Sequence, residues 1–176
     1  MINKQILEKI GIRVIELINE QIDEGIDFEG VKYSYSTSPF VRPLGQKHYS
    51  KIKRAIKEEK ATIFNTKNGS KWVFIEGGYK DYRSIIGRDP DGDYLQDTGK
   101  MLAALNYQVM GNEIKISFSS AQESQKAYWL NVAGAGKSKK KWKFLGLSPN
   151  NQNKLIEEFS SLVVKDFIEN YKFEVK

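Results

Sequence analysis

Residues 61–78 read ATIFNTKNGSKWVFIEGG, and this stretch sets the class of fold. Asn68-Gly69 lies between two runs rich in β-branched and aromatic side chains, and asparagine followed by glycine supplies the positive φ angles that a tight turn needs. The spacing predicts a hairpin in which residues 61–66 pair with 71–76. Farther along, NYQVM and EIKISFSS flank Gly111-Asn112 and have the same form. Ile114, Ile116 and Phe118 fall on one side of that second hairpin, Lys115, Ser117 and Ser119 on the other.

Around the hairpins the apolar period changes from two residues to 3.6. Ile6, Leu7, Ile10, Val14, Leu17, Ile18 and Ile22 gather on one face of an N-terminal helix that stops before Gly25. Ser148 as cap and Pro149 at the first helical position announce a long C-terminal helix, with Leu155, Phe159, Leu162, Val163 and Phe167 on its buried face. Shorter helices are expected between them. HYSKIKRAIKEEK, with its weak stripe of Ile52 and Ile56, reads as a surface helix, and YKDYRSIIGR as a turn or two closed by Gly87. Thr98 can cap a helix carrying Met101, Leu102 and Leu105, and Ser120 with Glu123 matches a capping box. Val31, Tyr33 and Tyr35 alternate with Lys32, Ser34 and Ser36 as one further strand, after which Pro39 and Pro43 break regular structure. The class is α+β: an antiparallel sheet built from hairpins, flanking helices, and long helices at both ends, expected as one domain over residues 1–176.

Lys and Arg number 28 against 22 Asp and Glu, a net charge of +6 that favours acidic partners. The absence of cysteine removes disulfides, thiolate nucleophiles, cysteine-bound zinc and iron–sulfur clusters together. The opening MINKQILEKIGIRVIELINE is apolar only at helical intervals, which fits neither a secretory leader nor a membrane span, so a cytoplasmic site of synthesis is expected.

Three stretches invite chemistry. Asp89, Asp91, Asp93 and Asp97 occupy places one, three, five and nine of a calcium loop, but place six is Tyr94 instead of Gly and place twelve is Lys100 instead of Glu. A polar turn accounts for the same letters. Gly136-Lys137-Ser138 ends like a phosphate-binding loop, yet Asn131 stands where the first glycine belongs and lysines follow in place of an apolar helix. Lys137, Lys139, Lys140, Lys141 and Lys143 then place five cations in seven residues around Trp142. That run could grip a phosphate backbone with the indole available for stacking, meet an acidic protein surface, or be a solvated loop. His48, the single histidine, lacks a second ligand for a metal. No catalytic residue, cofactor site or metal site is nominated.

LQDTGKMLAAL, NEIKISFSS, AYWLNVAGAG and WKFLGLSPNNQNKLIEEF occur in an order that resembles the phage virion morphogenesis family of tail-completion and head–tail joining proteins. The resemblance covers residues 88–165, and its most telling pieces are Asp97-Thr98-Gly99 and Phe144-Leu145-Gly146-Leu147-Ser148; residues 1–87 carry no matched motif. Where the family's middle helix leads into a His or Gln, this chain has Asn131. The resemblance implies a non-catalytic virion protein, assembled in a bacterial cytoplasm. It would form a homo-oligomeric ring, commonly of six copies, at the neck between the head connector or adaptor and the tail tube or terminator. The 134–143 loop is expected to be flexible, reaching a neighbouring ring or DNA in the lumen. The alternative is a basic nucleic-acid-binding module. Asp97 and Thr98 are expected to act as turn and cap groups, with Gly99 giving an unusual φ.

Overall fold

The computed structural model describes residues 2–45, 47–96, 99–134 and 139–170. In chain order the elements are α1 (Lys4–Asp23), β1 (Phe40–Pro43), α2 (Tyr49–Lys57), β2 (Thr62–Asn65), β3 (Lys71–Ile75), α3 (Gly78–Ile85), α4 (Lys100–Ala103), β4 (Leu105–Met110), β5 (Glu113–Phe118), α5 (Ala121–Tyr128), a π-helical turn (Trp129–Ala133) and α6 (Pro149–Asn170). The fold is α+β, with two small antiparallel sheets of three and two strands among the described residues. The chain divides into two compact units, one from Met1–Tyr33 and Tyr94–Lys176, the other from Ser34–Asp93.

In the first unit α1 lies on the β4–β5 hairpin, in which Leu105 faces Phe118 and Met110 faces Glu113. Asn3 opens α1 by accepting the Gln5 N–H at 2.9 Å, and Leu7, Leu17, Ile18 and Ile22 are buried beneath it. Gly11 sits where the Tyr107 ring presses on the helix, so close that a Cβ would overlap the ring. Gly11→Ala gains about 1 kcal/mol of helix propensity and loses about 1–3 kcal/mol to overpacking. A net fall in thermal stability is expected. In a Tyr107→Ala background the same change should become stabilising, which a double-mutant cycle by calorimetry would read.

α6 runs antiparallel along α1. Arg13 Nε pairs with Glu158 at 2.8 Å, Asn151 Nδ2 donates to the Leu17 carbonyl at 3.0 Å, and the Asn3 N–H donates to Asp166 at 2.8 Å. Leu155, Phe159 and Val163 are half-buried, as their spacing predicts, whereas Leu162 and Phe167 are exposed. Asp166 is buried there instead: the end of α6 meets the start of α1, where unpaired N–H groups favour a carboxylate.

In the Ser34–Asp93 unit the strand order is β1-β3-β2, antiparallel throughout. Ile52 and Ala55 of α2, Val73 and Ile75 of β3, and Tyr82 of α3 form one buried cluster with Ala61 and Ile86. α2 keeps its charged face in solvent, as expected, while its apolar stripe goes into the core: Ile52 is 0% exposed. The β2–β3 hairpin forms as expected, with the Thr66 N–H donating to the Ser70 carbonyl at 2.9 Å and Gly69 at φ +79. Only the glycine takes a positive φ, so the loop is one residue longer than a two-residue turn.

Three further expectations are corrected. Residues 31–36 form no strand; an isolated Ile26–Lys32 bridge is their pairing, and the strand lies at Phe40–Pro43, starting just after Pro39 and ending on Pro43 itself. β1 is an edge strand, where a missing N–H leaves the ladder intact. α4 is a single turn because Leu105 already opens β4. Neither half of the capping box forms: Ser120 makes no side-chain cap bond, and Glu123 is buried and pairs with Lys126 at 2.7 Å.

Candidate functional site

The basic loop grows out of the π-helical turn. The wider turn sets Asn131 so that its Oδ1 accepts the Leu145 N–H at 3.1 Å, while the Leu130 carbonyl accepts the Trp142 N–H at 2.8 Å. Gly134, at φ +86, pinches the loop shut: a Cβ there would strike the Lys139 carbonyl. Lys137 lies outside the described residues. Lys139 and Lys141 are exposed, and Lys140 is half-buried with Nζ 4.8 Å over the Trp142 ring. Burial pulls the Lys140 ammonium below its ordinary pKa.

Two members of the run are placed differently from expectation. Trp142 is buried, its ring centroid 5.2 Å from Tyr33 and 6.1 Å from Tyr94, so the indole is a core group and offers no stacking surface. Lys143 Nζ pairs with Glu29 at 2.6 Å, which neutralises it locally. The outward charge of the described loop thus comes from Lys139 and Lys141, with Lys140 leaning on the ring.

Phe144-Leu145-Gly146-Leu147-Ser148 joins this loop to α6. Phe144 is 0% exposed, and Gly146 lies against the Phe28 ring. Buried Gln21 of α1 accepts the Ser148 N–H at 2.8 Å and donates to the Gly146 carbonyl at 3.4 Å. Ser148 Oγ accepts the Asn151 N–H at 3.4 Å at the start of α6. The motif is a structural joint. Asp97 and Thr98 lie outside the described residues; Gly99, at φ +69, precedes α4.

The acidic stretch is organised by an arginine. Arg83 of α3, 3% exposed, donates from Nε to the Asp89 carbonyl at 2.8 Å and from Nη2 to the Gly92 carbonyl at 3.0 Å. Asp91 pairs with Lys80 at 2.6 Å, and Asp89 Oδ1 accepts the Asp91 N–H at 2.8 Å. Among the described residues no group of three or more His, Asp or Glu is arranged to hold a metal.

A cleft of about 580 Å³ in the same unit is lined by Lys51, Arg54, Glu58, Lys60, Asp81 and Ser84. Its charges are mutually engaged. Lys60 and then Arg54 hold the Glu58 carboxyl down at about 2, and Lys51 Nζ donates to the Ile86 carbonyl at 2.6 Å. His48, the αL residue before α2, is kept below its ordinary pKa by burial first and then by Lys47, Lys51, Arg88 and Arg42.

The structure supplies the individual residues of the exposed apolar surface. Tyr128, Trp129 and Val132 are exposed beside the basic loop, as are Ile156, Val164, Phe167 and Ile168 on α6. The signal was present in α6, whose apolar residues cover more of the helix than one partner can bury. The Tyr107 N–H is turned out of the β4–β5 ladder, where Asn106 Oδ1 accepts it at 2.8 Å. By strand alternation the amides of Leu105 and Val109 turn out the same way. A groove of about 460 Å³, lined by residues 106–110 with Lys4 and Glu8, follows this edge. Comparison of the chain with protein-family models, with curated proteins and with solved structures finds no match. No helix among the described residues is long and apolar enough to cross a membrane.

Proposed function

We propose that this chain is a structural protein of a tailed-phage or prophage virion, which closes into a ring at the head–tail junction and acts without catalysis. The observation that carries the reading is the β4–β5 sheet, whose outer edges pair with no further strand among the described residues and which is grooved along one of them. A two-stranded sheet is marginal alone, and an open edge is a template for another strand. Joining the β4 edge of one copy to the β5 edge of the next is a head-to-tail contact that repeats and, with a suitable rotation, closes. Because β4 and β5 are antiparallel, the extended sheet stays antiparallel at each new junction. The exposed apolar side chains of α6 give the same subunits further contact area, and Lys139 and Lys141 face axial partners: the head connector or adaptor on one side, the tail tube or terminator on the other.

Val109→Pro tests this, because it deletes an outward N–H while leaving the hairpin's own ladder bonds in place. Rings of the parent protein, alone or templated on tail tubes, should be visible in negative stain and as a multiple of the 20.2 kDa chain mass by light scattering. The variant should keep its circular dichroism spectrum and lose the rings. A parent protein that forms no ring with or without tail tubes contradicts the proposal.

A further inference from the structure

We propose that the open face of the β1-β3-β2 sheet binds single-stranded nucleic acid by stacking bases on Phe64, Trp72 and Phe74. This site lies in the part of the chain without matched motifs and is independent of ring assembly.

Residues opposite one another in an antiparallel ladder share a face. Phe64 faces Trp72, Thr62 faces Phe74, and across β3 Pro43 faces Trp72 and Val41 faces Phe74. The other face carries Val73 and Ile75, which are fully buried against α2 and α3. The helices therefore occupy one side of the sheet, and the three aromatic rings stand on the other. Phe64 is 40% and Phe74 37% exposed, and Trp72 is half-buried between their strands. A folded domain rarely spends three large aromatic residues on an uncovered face, so an occupant is indicated.

Charge selects that occupant. Residues 34–93 hold twelve Lys and Arg against seven Asp and Glu, whereas the remainder holds sixteen against fifteen. The smaller unit thus carries five of the six net positive charges of the chain. Exposed Lys67 lies in the hairpin loop next to the Phe64–Trp72 pair, and exposed Lys71 opens β3 from the opposite face. Aromatic rings on a sheet inside a strongly positive unit suit a polyanion with flat, unpaired bases; the rings stack the bases while the cations hold the phosphates. A duplex hides its base faces and has no use for the rings. A protein partner would use the same apolar area but would not require aromaticity.

The test is fluorescence anisotropy with labelled single-stranded DNA and RNA of about twelve nucleotides, within the site sizes such proteins cover, against the full-length chain. Binding is expected, weakening steeply as salt rises. Phe74→Leu and Phe64→Leu keep apolar volume and should each weaken it about tenfold, whereas Phe74→Tyr should retain it. Reversing Lys139 and Lys141 to Glu should leave this affinity unchanged. The proposal fails if single strands do not bind at low salt, if a duplex of the same sequence binds equally, or if the leucine variants bind like the parent. Loss of binding on the Lys139 and Lys141 reversal alone would also overturn it, moving the contact to the other unit. Circular dichroism of each variant separates loss of the site from loss of the fold.

Discussion

Phe144→Ala is expected to lower the unfolding free energy of the unit that contains α1 and α6 by about 3–5 kcal/mol. Phe144 is the largest fully buried side chain among the described residues, and it opens the segment that hands the basic loop on to α6. Its removal leaves a cavity that the neighbouring backbone cannot close, because that backbone is fixed at several points. Gln21 holds both Gly146 and Ser148, Asn131 holds Leu145, and Gly146 already lies against Phe28. Phe144→Leu, which keeps most of the volume, should cost less than about 1.5 kcal/mol. Equilibrium urea unfolding followed by circular dichroism gives both values. Trp142, two residues away and buried in the same segment, gives an independent optical reading, since loosening should shift its emission to the red. An alanine cost no larger than the leucine cost would mean that the joint at residues 144–148 is loose, despite the bonds from Gln21 and Asn131.

Most of the regular structure was legible because its causes are local. Asn68-Gly69 and Gly111-Asn112 announce hairpins through backbone conformations that few other residues accept, and the apolar spacing of α1 needs nothing beyond the helix to be read. β1 was hidden because its ladder partner, β3, lies some thirty residues on, and because prolines at both ends read as breaks until the strand is seen to be an edge. The burial of the α2 stripe likewise depends on Val73 and Tyr82, whose positions no local pattern supplies. Trp142 misleads for the same reason. Its sequence neighbours are lysines, whereas its spatial neighbours are Tyr33 and Tyr94. The motif at residues 144–148 could be seen, but its anchor, Gln21, could not, since a glutamine on a helix reads as polar surface until it is found buried. Nothing in composition marks the passage between units near residues 33 and 94, because both crossings fall in ordinary polar sequence.

Arg83→Met should cost the Ser34–Asp93 unit about 2–4 kcal/mol, and the comparison with Asp93→Asn shows why the acidic stretch exists. The guanidinium is buried over the Tyr35 ring at 4.4 Å and gives two hydrogen bonds to main-chain carbonyls, those of Asp89 and Gly92. Bonds from a charged donor contribute about 1.5–3 kcal/mol each. The cost of keeping an arginine out of water returns part of that sum when methionine replaces it, which sets the estimate below the full value of both bonds. By contrast, the Asp93 carboxylate stands 3.8 Å from Nη2 and is 61% exposed, so Asp93→Asn should cost less than about 1 kcal/mol. Arg83→Lys tests the geometry, since lysine keeps the charge but cannot present the planar fork that reaches both carbonyls; its cost should approach that of methionine. Urea unfolding of the three variants, with the slope m compared, decides the order. If Asp93→Asn were as damaging as Arg83→Met, the carboxylates would be the working groups of this stretch after all. The expected order makes them exposed turn residues whose carbonyls, rather than their charges, close the loop on α3.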